Sequence, residues 1–295
     1  TFQLRLGLAV YADIARRLTR TDEVTWADEQ LRELDAAIAK HGWDGEWFLR
    51  GFYESGAPLG THKAEEGRIF LEPQPWAVMS GAGTAEQARK AMDSVQAHLA
   101  TDWGVMICTP PMVKTPYHTV RAALLNAGQK ENAGIFCHTQ GWAVIAETML
   151  HRPDRAYAYY RAYMPSAYND RAEVRQVEPY VHCQSTHSIH SKRAGASRLP
   201  WLSGTASWSY FAATHYILGI QPDYDGLRID PSLPESWPEI TVQRRFRGRD
   251  FSIHIRRGTK GYGVQKLELN GKTIEGNLIP LEACGQSNSV EVQVG

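Results

Sequence analysis

Apolar residues in the first two thirds of the chain recur every three or four positions, the spacing that aligns side chains on one face of an α-helix. Leu4, Leu8, Tyr11 and Ile14 form one stripe in an amphipathic stretch over 2–18. Leu31, Leu34 and Ile38 form a second stripe, in a stretch that opens at Thr25 and ends near Gly42. Further helices are expected over 74–79, over 84–99 behind a glycine-rich turn, and over 139–150, 154–163 and 205–218. The connections 43–63, 103–138 and 173–202 are longer than ordinary helix links, and loops of that length on a helical scaffold are where a site is built.

After Pro222 the period changes from helical to two. Phe251, Ile253 and Ile255 alternate with Ser252, His254 and Arg256, as in a half-buried strand. Leu267 and Leu269 lead into Asn270-Gly271, a strong hairpin signal, and the chain returns through Thr273 and Ile274. The expected organisation is therefore a mainly helical domain over 1–222 and a small antiparallel β domain over 223–295. No repeat of solenoid spacing is present, although helices alternating with loops at one rim suit a toroid of helix pairs.

Charge and composition narrow the function. Among 295 residues, 32 Lys and Arg balance 32 Asp and Glu, so the field that would hold a polyanion is missing and nucleic acid is not an expected partner. Nine Trp and 13 Tyr suit either stacking on sugar rings or bulky helix packing. Cys108, Cys137, Cys183 and Cys284 lack metal-ligand or redox-motif spacing, and free thiols in a reducing cytoplasm are expected. Apolar runs such as 143–146 and 210–213 are too short to cross a bilayer, so no membrane association is expected. The chain opens on Thr1, directly in an amphipathic stretch and without the features of a signal peptide, which suggests a gene product starting further upstream.

Three constellations could carry chemistry. In the stretch from Gly128 to His138, Lys130, Glu131, Asn132 and His138 lie among glycines just before a helix. Such a loop can offer several hydrogen-bonding groups to a polyhydroxylated ligand, or be only a polar helix entry, and composition divides evenly between the two. Trp201-Leu202-Ser203-Gly204-Thr205 opens a helix, which is a ready anion site but more often a plain Ser or Thr cap. His182, His187 and His190 invite a zinc proposal, yet their spacing fits no helix-face motif and no carboxylate accompanies them, so no metal is expected.

These stretches, together with Asp225-Gly226-Leu227-Arg228, Ser236-Trp237 and Arg245-Phe246-Arg247-Gly248, resemble the closing part of the inverting disaccharide phosphorylases of the cellobiose and chitobiose type. The Lys-Glu-Asn, Gly-Thr-Ala-Ser-Trp and Tyr-Asp-Gly-Leu blocks are distinctive as a set, and the likeness runs over most of the chain. It implies part of an (α/α)6 toroid followed by a β-sandwich segment. It also implies phosphorolysis of a small β-1,4-linked disaccharide, cellobiose or N,N′-diacetylchitobiose. Phosphate attacks the anomeric carbon from the face opposite the glycosidic bond, an Asp protonates the leaving oxygen, and an α-sugar 1-phosphate results. Inorganic phosphate is then a co-substrate, and no cofactor is implied.

Residue by residue, Lys130, Glu131 and Gln184 resemble the contacts to the transferred sugar, and His138, Ser203 and Gly204 resemble the phosphate site. Ser203 stands where several members of the family have Thr, and it keeps the hydroxyl. Leu125 falls where cellobiose-specific members tend to carry Tyr, and its aliphatic side chain leaves room for an N-acetyl group, which leans the reading toward chitobiose.

One departure is an absence. The family's general acid lies in an Asp-Trp-Asn-Asp motif, whereas this sequence has only Asp102-Trp103-Gly104, in another context and at the wrong place in the order. No catalytic residue is identified, and the acid is expected upstream of Thr1. The chain alone is then expected to be nearly inactive and to need the upstream half of the same enzyme as its partner, with a homodimer also implied. A silent carbohydrate-binding relic and an inverting hydrolase on the same fold are the competing readings.

Overall fold

Helices α1 (Phe2–Arg17) and α2 (Thr21–His41) are joined only through Leu18, Thr19 and Arg20, so they pack as an antiparallel pair. The computed structural model describes residues 1–258 and 261–295. Arg5 forks onto Asp35 across this pair, with Nη2 3.0 Å from Oδ2, and also donates to the Ser80 carbonyl. The apolar period of α1 is helical, but the face that is seated differs from the expected stripe. Leu8, Ala12 and Ala15 are buried, whereas Leu4, Tyr11 and Ile14 are exposed. Alanines here and at Ala27 of α2 permit the close backbone approach that larger side chains would block. Helix α2 also begins at Thr21 rather than Thr25, with Asp22 and Glu23 in its first turn complementing the helix dipole.

Two compact units emerge, Thr1–Ala146 with Tyr159–Trp208, and Glu147–Ala158 with Ser209–Gly295. In the first, α3 (Pro73–Ser80) ends at the left-handed Gly81, and α4 (Ala85–His98) starts from a capping box. Thr84 Oγ1 accepts from the Gln87 amide at 3.1 Å, and the Gln87 side chain accepts from the Thr84 amide at 2.9 Å. Helices α5 (Gln140–Met149), α6 (Pro153–Tyr163), α7 (Ala172–Arg175) and α8 (Thr205–Phe211) follow. The helix expected over 205–218 changes character at Ala212, where a π-turn runs to Ile217 and Thr214 returns its hydroxyl to the Tyr210 carbonyl at 2.7 Å. The long connections are braced by short ladders: Ile69–Phe70 pairs with Cys108–Thr109, and β1 (Ile135–Phe136), β2 (Cys183–Thr186) and β3 (Ser197–Pro200) form one antiparallel sheet.

The second unit contains the expected strands, in two sheets. One orders β4 (Ile220–Pro222), β5 (Gly226–Ile229) and β10 (Leu278–Pro280). The other comprises β6 (Glu239–Phe246), β7 (Arg249–Arg257), β8 (Val264–Leu269), β9 (Lys272–Thr273) and β11 (Ser287–Val294). Phe251, Ile253 and Ile255 point inward, as the alternation requires, and share one core with Ile229, Ile279, Val290 and Val292. Asn270 and Gly271, at φ +51° and +79°, turn β8 into β9. Arg247 and Gly248, at φ +47° and +77°, make the same kind of turn between β6 and β7.

The expectation of an antiparallel sheet needs correction. Strand β11 pairs antiparallel with β8 but parallel with β7, matching Ile253 to Val290 and Ile255 to Val292. Parallel pairing requires a long crossover, and the chain makes one by leaving through β10 in the other sheet before it returns. Because Ile253 is fully buried at this junction, Ile253→Ala is expected to lower unfolding stability by about 2–5 kcal/mol. Its outward neighbour is expected to tolerate Ser252→Ala within about 0.5 kcal/mol, and urea unfolding of both variants checks the contrast.

Candidate functional site

The loop that carries Lys130 and Glu131 is held by its own backbone. The Gly128 amide donates to the Asn132 carbonyl at 2.8 Å, and the Gly134 amide donates to the Lys130 carbonyl at 3.1 Å. Lys130 adopts φ +45°, and a Cβ on Gly134 would lie 2.5 Å from the Lys130 nitrogen, so glycine is required there. Asn132 is fully buried and acts as the strut: Oδ1 accepts from the Met112 amide at 2.7 Å, while Nδ2 donates to the carbonyls of Met112 and Leu125 at 2.9 and 2.7 Å. Within the Lys-Glu-Asn block, then, the amide builds the loop and the two charges are displayed by it.

Those charges reach different places. Glu131 is exposed and lines a concavity of about 420 Å³ with Arg50, Glu72, Phe70 and Ile107. Arg50 Nε lies 2.9 Å from Glu72 Oε2. Burial pushes the Glu72 carboxyl above the usual range, Arg50 pulls it back, and the Glu131 charge pushes it further up. Glu72 and Arg50 also line an adjoining cleft of about 570 Å³ with Trp76 and Trp142. Lys130 lines another concavity, with Ser185, His187, Arg193 and Arg198.

His138 sits in a 3-10 turn between β1 and α5. Gln140, fully buried, fixes that turn by accepting from the Val105 amide at 2.7 Å and donating to the carbonyls of Val105 and Phe136 at 2.8 and 3.1 Å. The imidazole is edge-on to Phe136 at 4.9 Å and to Trp142 at 5.1 Å. Burial holds its pKa below the ordinary 6.5, partly offset by the charge of Glu131. Neutral imidazole therefore dominates at pH 7, with one N–H to donate.

Three expected site residues, far apart in sequence, each neighbour along the chain a member of one buried junction. Cys137, next to His138, places its sulfur 3.6 Å from that of Cys183, next to Gln184. The Thr205 hydroxyl donates to the Cys183 carbonyl at 3.2 Å, and the Thr205 amide donates to Ser203 Oγ at 3.0 Å. Gly141 closes the arrangement, since a Cβ there would fall 2.9 Å from the Trp208 carbonyl oxygen, so only glycine lets α5 rest against α8. His138, Gln184 and Ser203 thus flank the same junction. The half-buried Gln184 amide makes no hydrogen bond to the described residues, and a Cβ on Gly204 would meet nothing within 4 Å. Leu125 joins the Glu131 loop through its carbonyl bond to Asn132.

Sequence spacing hid several of these features. The Cys137–Cys183 contact bridges 46 positions, and all four cysteines are free thiols. Trp76, Trp142 and Trp208 form a mutual edge-to-face cluster with ring centroids 5.3 to 6.2 Å apart, and Glu72 and Arg50 join the cleft from a segment that carries no motif. Among the candidate zinc histidines, His187 pairs with Ser191 Oγ at 3.0 Å and His190 with Thr109 Oγ1 at 3.1 Å. No metal-binding group of three His, Cys, Asp or Glu forms among the described residues, and no described helix is long and apolar enough to cross a membrane.

Comparison with known proteins places the chain in a family. The chain is 37% identical over 293 residues to the N,N′-diacetylchitobiose phosphorylase of Vibrio proteolyticus, covering 98% of this chain and 36% of the relative. It is 31% identical over 288 residues to the solabiose phosphorylase of Paenibacillus borealis, covering 96% and 37%. The chain thus spans little more than a third of the length of these relatives. A solved sialidase shares the fold at a TM-score of 0.55 and 9% identity, over 80% of this chain and 21% of that one. Residues 220–275 match the C-terminal domain of glycosyl hydrolase family 65. Residues 1–219 match the catalytic domain of the glycosyl hydrolase 94 superfamily, and the chain belongs to that family.

Proposed function

We propose that this chain is the phosphate- and sugar-binding part of an inverting β-disaccharide phosphorylase, built on the closing half of an (α/α)6 toroid with a C-terminal β-sandwich. The buried junction at Cys137, Cys183 and Thr205 supports this reading, because His138, Gln184 and Ser203 each lie within two positions of one of its members and nothing crowds Gly204. His138, Ser203 and Gly204 hold inorganic phosphate. Glu131 and Gln184 hold the hydroxyls of the transferred sugar, and the long stem of Lys130 lets its ammonium serve either side of its loop. Leu125 and the likeness to a chitobiose phosphorylase favour N,N′-diacetylchitobiose.

Phosphate is already anionic, so one of its oxygens can attack the anomeric carbon without a strong base while the glycosidic bond breaks on the opposite face. The departing oxygen needs a proton. In this reading an Asp on a segment upstream of Thr1 supplies it, and without that acid the rate falls by roughly 10² to 10⁴. A second reading rests on Glu72, a carboxyl held above its usual pKa beside Glu131, which resembles the paired carboxyls of a hydrolase. A catalytically silent sugar-binding chain is the third.

Incubating the chain with N,N′-diacetylchitobiose, with and without phosphate, and alone or extended through an upstream Asp-Trp-Asn-Asp motif, separates these readings. The expected outcome is sugar 1-phosphate only from the extended chain with phosphate. Phosphate-independent sugar release abolished by Glu72→Gln would establish hydrolysis instead, and disaccharide binding without turnover in any form would establish the silent chain.

Two further outcomes follow from the phosphate site. Gly204→Ala is expected to leave the thermal midpoint unchanged, because the added methyl meets no protein atom, while phosphate KM in the active extended chain rises by about tenfold. His138 in the free protein is expected to titrate below 6.5 because burial disfavours the imidazolium. A bound anion favours the imidazolium, so the pKa rises on binding, a proton is taken up between the two values, and sulfate affinity strengthens as pH falls through that window. NMR titration of the imidazole with and without sulfate measures both.

A further inference from the structure

Away from the junction, the basic concavity beside Lys130 has the make-up of a second site. It encloses about 410 Å³ and is lined by Gln129, Lys130, Ser185, His187, Arg193 and Arg198. Arg193 Nη2 and Arg198 Nη1 both donate to the single oxygen Gln176 Oε1, at 2.9 and 3.4 Å. Neither arginine, nor Lys130, makes an ion pair with a carboxylate among the described residues. Two guanidiniums converging on one neutral amide oxygen repel each other, and no carboxylate among the described residues pairs with either to offset that repulsion.

The register supplies an independent sign of a ligand. Ser185 on β2 stands directly opposite Arg198 on β3, and paired residues on antiparallel strands project from the same face. Ser185 is only 1% exposed, yet its hydroxyl has no hydrogen-bond partner among the described residues. A buried hydroxyl without a partner is costly, and an acceptor beside Arg198 would satisfy it. The neighbouring His187 is almost fully buried with Nδ1 on Ser191 Oγ, and burial followed by the charges of Arg198 and Arg193 depresses its pKa. The local potential is therefore positive.

We infer that the concavity lined by Ser185, His187, Arg193 and Arg198 is a second anion site, which binds a phosphate group separately from the site at His138 and Ser203. The guanidinium pair would fork onto two phosphate oxygens and Ser185 would donate to a third. Either inorganic phosphate or a sugar phosphate monoester supplies this chemistry, and Gln129 could hold a hydroxyl of the latter.

Isothermal titration of the full chain with inorganic phosphate, and separately with a hexose 1-phosphate, tests the assignment in the wild type, in His138→Ala and in an Arg193→Gln/Arg198→Gln variant. A class of binding that survives His138→Ala and weakens about tenfold or more in the arginine variant is the expected result. Binding that disappears entirely in His138→Ala, or is unchanged in the arginine variant, overturns the proposal. Should the arginine variant melt early, Ser185→Ala carries the test: weakening of about threefold to tenfold supports the site, and unchanged affinity overturns it. Tighter binding of the ester names a sugar phosphate as occupant, while equal binding names the free anion. The lack of any His138-dependent class would count against the phosphate role of His138 and leave this site standing.

Discussion

The hold of Cys183 on its neighbours is the constraint on which the candidate site depends. Its sulfur meets Cys137, and its carbonyl receives the Thr205 hydroxyl. The hydrogen bond with Cys137 is the main cause that brings the Cys183 thiol down to about 5, whereas Cys137 is pushed well above its ordinary value. One sulfur thus serves as acceptor and the other as donor. The buried Arg175 adds to this: its Nη2 donates to the Tyr163 carbonyl at 2.9 Å, Nε and Nη1 make no hydrogen bond among the described residues, and its charge acts to lower Cys183 and to offset part of the rise at Cys137. The Arg175 guanidinium also lies over the Tyr168 ring, 5.0 Å from its centroid, so an aromatic face covers part of the buried charge. The residues that would touch ligand sit one or two positions from this electrostatic knot, so the site inherits its rigidity without using the sulfurs themselves.

Struts and displayed groups are divided in the same way elsewhere. Asn132 and Gln140 are fully buried amides that use both ends of the side chain on backbone groups of distant segments. They replace the regular secondary structure that long connections lack, and they hold the loops that carry Glu131 and His138 in place. Their positions beside Glu131 and His138 leave the neighbouring side chains free to face solvent or substrate.

Periodic and turn-forming features were legible in the sequence. The alternation around Ile253 and the Asn270-Gly271 turn report local physics, the pleat and the left-handed backbone, and both recur in the fold. The Thr84–Gln87 capping box likewise fixes the start of α4 where the pattern placed it. Legibility ended where distant segments decide the outcome. The seated face of α1 depends on the alanines of the pair rather than on its largest apolar residues, and the parallel pairing of β11 depends on a crossover through the other sheet. Within the site, the motif residues could be named from their blocks, but Glu72, Arg50, the tryptophan cluster and the Cys137–Cys183 contact could not, because no local spacing encodes a contact across 46 positions.

The loop over 128–134 separates two electrostatic environments that a neutral net charge conceals. On one side the Glu131 charge raises the cost of ionising Glu72 beside Arg50; on the other, Lys130 lines a concavity with Arg193 and Arg198 and no carboxylate among the described residues pairs with them. The left-handed turn at Lys130 is what permits this, since adjacent residues then face opposite concavities without a longer insertion. Charges of opposite sign on neighbouring surfaces cancel in the total but not locally, where separations are within a screening length of about 8–10 Å. A neutral sugar ring and an anionic group approaching this rim therefore experience different fields. The arrangement would sort the two parts of a phosphorylated sugar by charge before any hydrogen bond to an individual hydroxyl is made.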